Sequence, residues 1–270
     1  MRLSVLVVSY NVGPLVRRCL QTLAEADEIV LVDNASKDGT AELVHREFPD
    51  VRLIALPDNR GFSAGVNLAA REAKGDLFLL LNPDTELPPG AIAAMKKAAR
   101  AHASAAAFGF RQVDEHGAFQ LAVGPPPWLT LELVRMVVQR RLDRGDLRLG
   151  RLLDRLLSRT LRVPWVAGSA LLVRRAAFEE IQGFDERFFL FFEDIDFCLR
   201  LRERCGPVLF VPAVTVLHHR GKSAAKEPGR AARAYRDSQL WFWRKHRGPQ
   251  VAALVHLYQK LRGVGGTVGA

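Results

Sequence analysis

The chain has 270 residues, 49% hydrophobic and 25% charged, with a formal net charge of +10. This is globular composition and excludes a disordered or fibrous chain. No apolar run reaches the roughly 18 residues a membrane-spanning helix needs, and Cys19, Cys198 and Cys205, odd in number and without metal-ligand spacing, argue against a disulfide framework and for a reducing cytoplasm.

The segment Met1–Ser9 is too short for a secretory signal, and 11–14 reads as a loop rather than a cleavage site. Leu3–Ser9, Glu28–Val32, Val51–Leu56 and Asp76–Leu81 read as strands, and Val16–Glu25, Ala41–Phe48, Ser63–Lys74 and Ala91–His102 as helices. Continuous apolar strands alternating with helices predict a mostly parallel α/β sheet with helices on both faces. Ala105–Phe110 and Phe119–Val123 extend the strand pattern, with a turn at 114–117 between them. Residues 130–163 read as helical, with Leu149, Leu152, Leu153, Leu156 and Leu157 at helical spacing. Strand-like sequence returns at Trp165–Arg174. A helix starts near Asp194 and runs to Arg204, two short strands follow at Val208–Val211 and Val214–Leu217, and 230–262 is helical and basic.

The positive charge is concentrated. Residues 130–163 hold nine Arg against four acids, and 218–247 hold nine Lys and Arg against two. The candidate partners of such a face are anionic lipid, an anionic substrate or nucleic acid. For 130–163 two readings stand side by side: an amphipathic segment packed on the core, or one lying on an anionic membrane.

In open parallel sheets ligands bind beyond the carboxyl ends of the strands. Those ends carry Ser9, Tyr10 and Asn11; Asp33 and Asn34; Asn59, Arg60 and Gly61; and Asn82 and Asp84. A nucleoside diphosphate-sugar suits this edge. Asp33 has the acceptors for an imide N–H and a ribose diol, Arg60 matches phosphate geometry, and Gly61 and Gly65 permit close backbone approach. No phosphate-binding glycine motif follows the first strand. Asp84, aimed by Pro83, is the best metal candidate, for Mg²⁺ or Mn²⁺ against a diphosphate leaving group. Glu193-Asp194-Ile195-Asp196 follows five apolar residues that exclude water, a setting that raises a carboxyl pKa and suits a base; acids also simply favour a helix start. His218 and His219 offer one further ligand.

Val7-Val8-Ser9-Tyr10-Asn11, Val32–Thr40, Asn59–Asn67, Leu81–Thr85, Gly168-Ser169-Ala170, Gly183–Glu186 and Phe192-Glu193-Asp194 together resemble glycosyltransferase family 2, with its GT-A fold, and within it the bacterial rhamnosyltransferase-like branch. The resemblance covers residues 1–223, interrupted by the Arg-rich 130–163, and leaves 224–270 as a basic helical extension. It implies an inverting, metal-dependent transfer of one sugar, with rhamnose the sugar the branch suggests, from a UDP- or dTDP-linked donor to a hydroxyl of a saccharide or lipid-linked acceptor in cell-surface polysaccharide synthesis. The implied place is the cytoplasm or the inner face of the membrane, with no nucleic acid as partner.

The resemblance also implies roles. Asp33 reads the nucleobase, with Ser9, Tyr10, Asn11, Asn34, Asn59, Arg60, Gly61, Asn67 and Asn82 completing the donor site. Asp84 ends a D-x-D-like motif in which Asn82 replaces the first acid. Asp194 is the catalytic base. His218 is the second metal ligand, within H-x-x-G-x-S completed by Gly221 and Ser223. Trp165, Gly168, Ser169 and Glu193 line the acceptor side. The Q-x-x-R-W motif of processive synthases is absent. The competing readings are a sugar nucleotidyltransferase and a non-enzymatic basic lipid- or nucleic-acid-binding module.

Overall fold

The computed structural model describes residues 1–219 and 228–261. Gly221 and Ser223, and the glycine-rich end from 263, lie outside the described residues. The first half runs β1 (Leu3–Ser9), α1 (Gly13–Gln21), β2 (Glu28–Asp33), α2 (Thr40–Glu47), β3 (Arg52–Ala55), α3 (Phe62–Glu72), β4 (Leu77–Leu81), β5 (Thr85–Glu86) and α4 (Ala91–Ala101). Next come β6 (Ala107–Val113), β7 (Phe119–Gln120), β8 (Val123–Gly124), α5 (Leu129–Asp143), α6 (Leu147–Leu156), β9 (Leu161–Val163) and β10 (Trp165–Val166). The chain continues with β11 (Ala170–Arg174), α7 (Arg175–Glu180), α8 (Glu193–Arg204), β12 (Val208–His218), α9 (Pro228–Arg247) and α10 (Pro249–Leu261).

The main sheet has the order β3-β2-β1-β4-β11-β6-β12-β5. Strands β1 to β4 pair in parallel, β12 pairs in parallel with β6, and β11 is inserted antiparallel to both β4 and β6. Strand β1 shows why these strands read as unbroken apolar runs. Leu3, Val5 and Val7 enter one hydrophobic core while Leu6 and Val8 enter the other, so both faces are covered. Gly65 of α3 serves this packing rather than a ligand, because a Cβ there would stand 2.8 Å from Cγ1 of Val8.

Four expectations are corrected. Helix α1 begins at Gly13 with Pro14 in its first turn, where a missing N–H costs nothing, so the expected loop at 11–14 is half helix. The segment 130–163 is two helices and a strand, broken at Gly145, whose φ of +79° few side chains adopt. Its leucines divide: Leu149, Leu153 and Leu157 are half-buried, while Leu152 and Leu156 stand more than half exposed. The two expected strands at 208–217 are one strand, β12, whose register on β6 shifts between Val211 and Thr215, around Pro212, which has no N–H to donate.

The basic extension joins the same core. Phe242 and Trp243 of α9 are buried with the residues of β1, α3 and α8.

Candidate functional site

The sheet order brings the carboxyl ends of β1, β2, β4, β6 and β12 to one edge, together with the amino end of β11. Ser9 and Asp33 are register partners there. Ser9 Oγ donates to Asp33 Oδ1 at 2.9 Å, Ser36 Oγ to the same oxygen at 2.5 Å, and the Ser36 N–H to Oδ2 at 2.9 Å. Three donors fix a buried carboxylate that still has acceptor capacity for one more. Asn34 reaches across to the next loop, donating from Nδ2 to the Gly61 carbonyl at 3.0 Å and accepting from the Arg60 N–H at 3.3 Å. Asn59 Oδ1 accepts from the Gly61 N–H, and Asn11 holds Lys37 and Ser36.

These asparagines hold the loops around Asp33. Gly61, φ +86°, gives its close approach to Phe189 instead of a ligand, since a Cβ would meet the Phe189 carbonyl oxygen at 2.5 Å. Asn67 is drawn away from this group: its amide exchanges bonds with the Phe184 backbone at 2.8 and 2.9 Å and donates to Glu186. Arg60 is exposed beside Asp58.

A residue the sequence reading did not single out crosses this edge. Arg230 of α9 donates to the Asn59 carbonyl at 3.3 Å and lies over the rings of Phe189 and Tyr10, at 4.8 and 5.8 Å. The only sequence signal for it was the basic composition of the last helices.

In the middle of the edge, Asn82 acts through its backbone: its N–H donates to Ser169, and its carbonyl accepts from the Thr85 N–H and hydroxyl. The tight turn between them carries Asp84, 5% exposed, whose Oδ1 stands 3.3 Å from His218 Nε2. His218 Nδ1 lies 3.0 Å from Gln112 Oε1, an acceptor, and Gln112 Nε2 donates to Ser169 Oγ. With Nδ1 turned to the Gln112 acceptor, Nε2 is the ring nitrogen that faces the Asp84 carboxylate. Two buried acceptors face to face fit a cation between them, and a carbonyl oxygen behind the imidazole is the usual way a ligating histidine is oriented. His219 turns the other way, onto Glu86 at 2.7 Å. Among the described residues no group of three His, Cys, Asp or Glu gathers, and Asp84 and His218 stand here as a pair. Gln112 is a second residue that the sequence reading did not single out; a lone Gln at a strand end carries no pattern.

On the far side of Gly168-Ser169 lies the acidic cluster. Phe191 and Phe192 both adopt left-handed backbone, φ +70° and +64°, a strain of about 1–3 kcal/mol each for bulky residues. Tyr235 and Phe242 of α9 pack on them, with ring centroids 5.3 to 5.5 Å apart. This sharp turn aims Glu193 and Asp194 at the start of α8. Asp194 Oδ2 accepts from the Gly168 N–H at 3.1 Å and Oδ1 from the Ile195 N–H at 2.8 Å. Burial pushes the Asp194 carboxyl up, opposed by those two donors and by the charge of Arg135. Burial and the neighbouring Asp194 push Glu193 well above its usual range, and Glu193 Oε2 is a buried oxygen without a partner among the described residues. Asp196 does the opposite job: it is buried among Arg200, Lys245 and His246 and ties α8 to α9.

Trp165 of β10 donates from Nε1 to the Pro125 carbonyl at 3.0 Å. The Arg135 guanidinium lies 5.8 Å from the Trp165 ring centroid and is paired twice with Glu132, at 2.5 and 2.8 Å.

Known proteins share this chain's sequence pattern and fold. The family model described as "Glycosyl transferase family 2" matches residues 4–181. The N-acetylglucosaminyl-diphospho-decaprenol L-rhamnosyltransferase of Mycobacterium tuberculosis is 32% identical over 255 residues, 89% of this chain and 83% of that protein. Rhamnosyltransferase WbbL of Escherichia coli K12 is 44% identical over a shorter 57 residues, 21% of this chain and 22% of its own. Among solved structures, the mannosyltransferase PcManGT of Pyrobaculum calidifontis, in complex with GDP-Man and Mn²⁺, shares the fold. Its TM-score is 0.57 at 19% identity, covering 98% of this chain and 76% of that one. A nucleotidyltransferase or a non-enzymatic basic module is set aside by the family match. With its GT-A architecture and its rhamnosyltransferase-like sequence, this chain belongs to glycosyl transferase family 2 and is a glycosyltransferase.

Proposed function

We propose that the protein moves a single rhamnose from a dTDP-linked donor to a hydroxyl of a lipid-linked N-acetylglucosamine acceptor, with inversion, at the inner face of the membrane. The observation that carries this reading is the division of one sheet edge by Gly168-Ser169. Asp33, held by Ser9 and Ser36, lies on the donor side, the Asp84–His218 pair in the middle, and Asp194 on the acceptor side. The sugar and the acceptor come from the name of the mycobacterial relative, which aligns over most of both chains.

Asp33 accepts from the base and ribose, and Arg230 and Arg60 supply positive charge near the diphosphate. Asp84 and His218 would hold a Mg²⁺ or Mn²⁺ ion, which when bound neutralises charge on the departing diphosphate. Asp194 takes the proton of the acceptor hydroxyl. The freed oxygen forms a bond to the anomeric carbon as the bond to the diphosphate breaks on the opposite face. Glu193, its carboxyl pushed up by burial and by Asp194, has a buried oxygen without a partner among the described residues that can meet a hydroxyl of the acceptor sugar. Phe188, Phe191 and Phe192 keep water from competing.

The test is a thermal-shift panel of UDP, dTDP, GDP and ADP with and without each ion, followed by transfer from dTDP-rhamnose to an N-acetylglucosaminyl diphosphate lipid. A metal-dependent rise in melting temperature with dTDP, and a disaccharide product, support the reading. Absence of a shift with every nucleotide overturns it.

A further inference from the structure

Helix α5 is built inside out. Its inward side holds a charged pair, Glu132 buried and Arg135 nearly so, beside the half-buried Met136, Val138 and Leu142. Its outward residues are apolar, Leu133, Val134 and Val137, each more than half exposed. An ordinary surface helix does the reverse. Helix α6 continues the pattern, with Leu147, Leu152 and Leu156 more than half exposed and Arg148, Arg151 and Arg155 exposed among them. Leu254, Leu257 and Leu261 of α10 are likewise more than half exposed. Tyr235 joins these helices to the site. It stacks on Phe191 and Phe192, and it lies within electrostatic reach of Glu132, Arg135 and Arg140 on α5 and of Tyr258 on α10.

We infer that the outward faces of α5, α6 and α10 form one docking surface for an anionic phospholipid bilayer, beside the acceptor side of Asp194. Leucines that enter the headgroup–acyl boundary and arginines that meet lipid phosphates need the same surface to be apolar and cationic at once. A second copy of the chain fits poorly, because a two-fold contact would set arginine against arginine. A nucleic acid would match the arginines and leave the leucines in water. The inference deepens the proposed function and rests on it for one point only, that the docked lipid surface is where the acceptor's sugar meets Asp194.

The test is co-sedimentation of the full chain with vesicles of phosphatidylcholine alone or mixed with phosphatidylglycerol, at low and high salt. Binding to the mixed vesicles, weakened by salt, is expected. The double variant Leu133→Asp, Val137→Asp and the triple variant Arg148→Gln, Arg151→Gln, Arg155→Gln should each weaken it by about tenfold or more. Both variants alter exposed side chains, and an unchanged melting temperature and dTDP shift would show an intact fold and donor site. Wild-type sedimentation of both variants overturns the inference, as does concentration-dependent dimerisation without vesicle binding. Docking without transfer would sink the proposed function and leave the surface standing; transfer to a water-soluble acceptor without docking would do the reverse.

Discussion

Gly168 and Ser169 are neighbours in sequence that serve opposite halves of the site: the Gly168 N–H holds the Asp194 carboxylate, while the Ser169 hydroxyl holds Gln112, which orients His218. This is possible because β11 runs antiparallel between β4 and β6 and so begins at the edge where its neighbours end. A shift of this one turn would move Asp194 and the Asp84–His218 pair together.

The two acidic neighbours should respond differently to loss of charge. Asp194→Asn is expected to lower kcat by about 10²–10⁴-fold, the usual worth of a positioned base, with donor affinity unchanged by calorimetry. Glu193→Gln copies a carboxyl already pushed towards its protonated form and should keep transfer within about tenfold. Transfer by Asp194→Asn at the wild-type rate would remove Asp194 from the chemistry.

The pH profile follows from the same pair. A base must be ionised, and burial raises Asp194 above the ordinary 3.8. The acid limb of kcat/KM is therefore expected above that value, with activity rising as pH rises through it. A limb at or below the ordinary carboxylate value would contradict the placement of Asp194 in a desolvated site.

The metal pair is tested by binding rather than turnover. Asp84→Ala and His218→Ala should abolish the effect of Mn²⁺ on dTDP affinity, and Gln112→Leu should weaken Mn²⁺ binding by about 10–100-fold through the orientation of His218. His219→Ala, whose ring bonds Glu86, should leave it unchanged. Equal losses in the His218 and His219 variants would show that the ion lies elsewhere.

Asp196 links stability to acid. Although burial alone would raise it, the bond from His246 and the charges of Arg200 and Lys245 bring it down to about 2 from 3.8. A depressed carboxyl stabilises the fold above its unfolded value and loses that contribution as pH falls through the folded one. Between about pH 5 and pH 2 the wild type should lose about 2 kcal/mol more than Asp196→Asn, measured by denaturant unfolding. Parallel pH curves for the two proteins would mean that this cluster carries no linked proton.

The parallel half of the fold is legible in the sequence because β1 and β4, buried along their whole length, and the buried end of β2 appear as unbroken apolar runs, whereas β3, at the sheet edge, is only half buried and leaves a weaker trace. Asp33, Asp84 and His218 are legible for a related reason, since each directly follows or ends such a run. Other residues leave no such trace. Gln112 becomes a site residue only through β12, more than a hundred positions away in its pairing with His218. Glu132 and Arg135 sit in a stretch whose arginines look alike, and only packing separates the one that faces Trp165 from those that face out. Asn67 and Gly61 have the residue types of a ligand loop, yet tertiary neighbours, Phe184 and Phe189, claim them first. The GT-A assignment and the family expectation are borne out.

The packing of Tyr235, Phe242, Lys245 and His246 against residues 185–196 has a consequence for biosynthesis. The strained turn that aims Asp194 has no support until the ribosome has passed Arg247 and α9 is free to dock. A nascent chain halted earlier lacks both this support and the cover that Arg230 gives to Asn59, Tyr10 and Phe189, so the two ends of the edge are completed together when α9 docks.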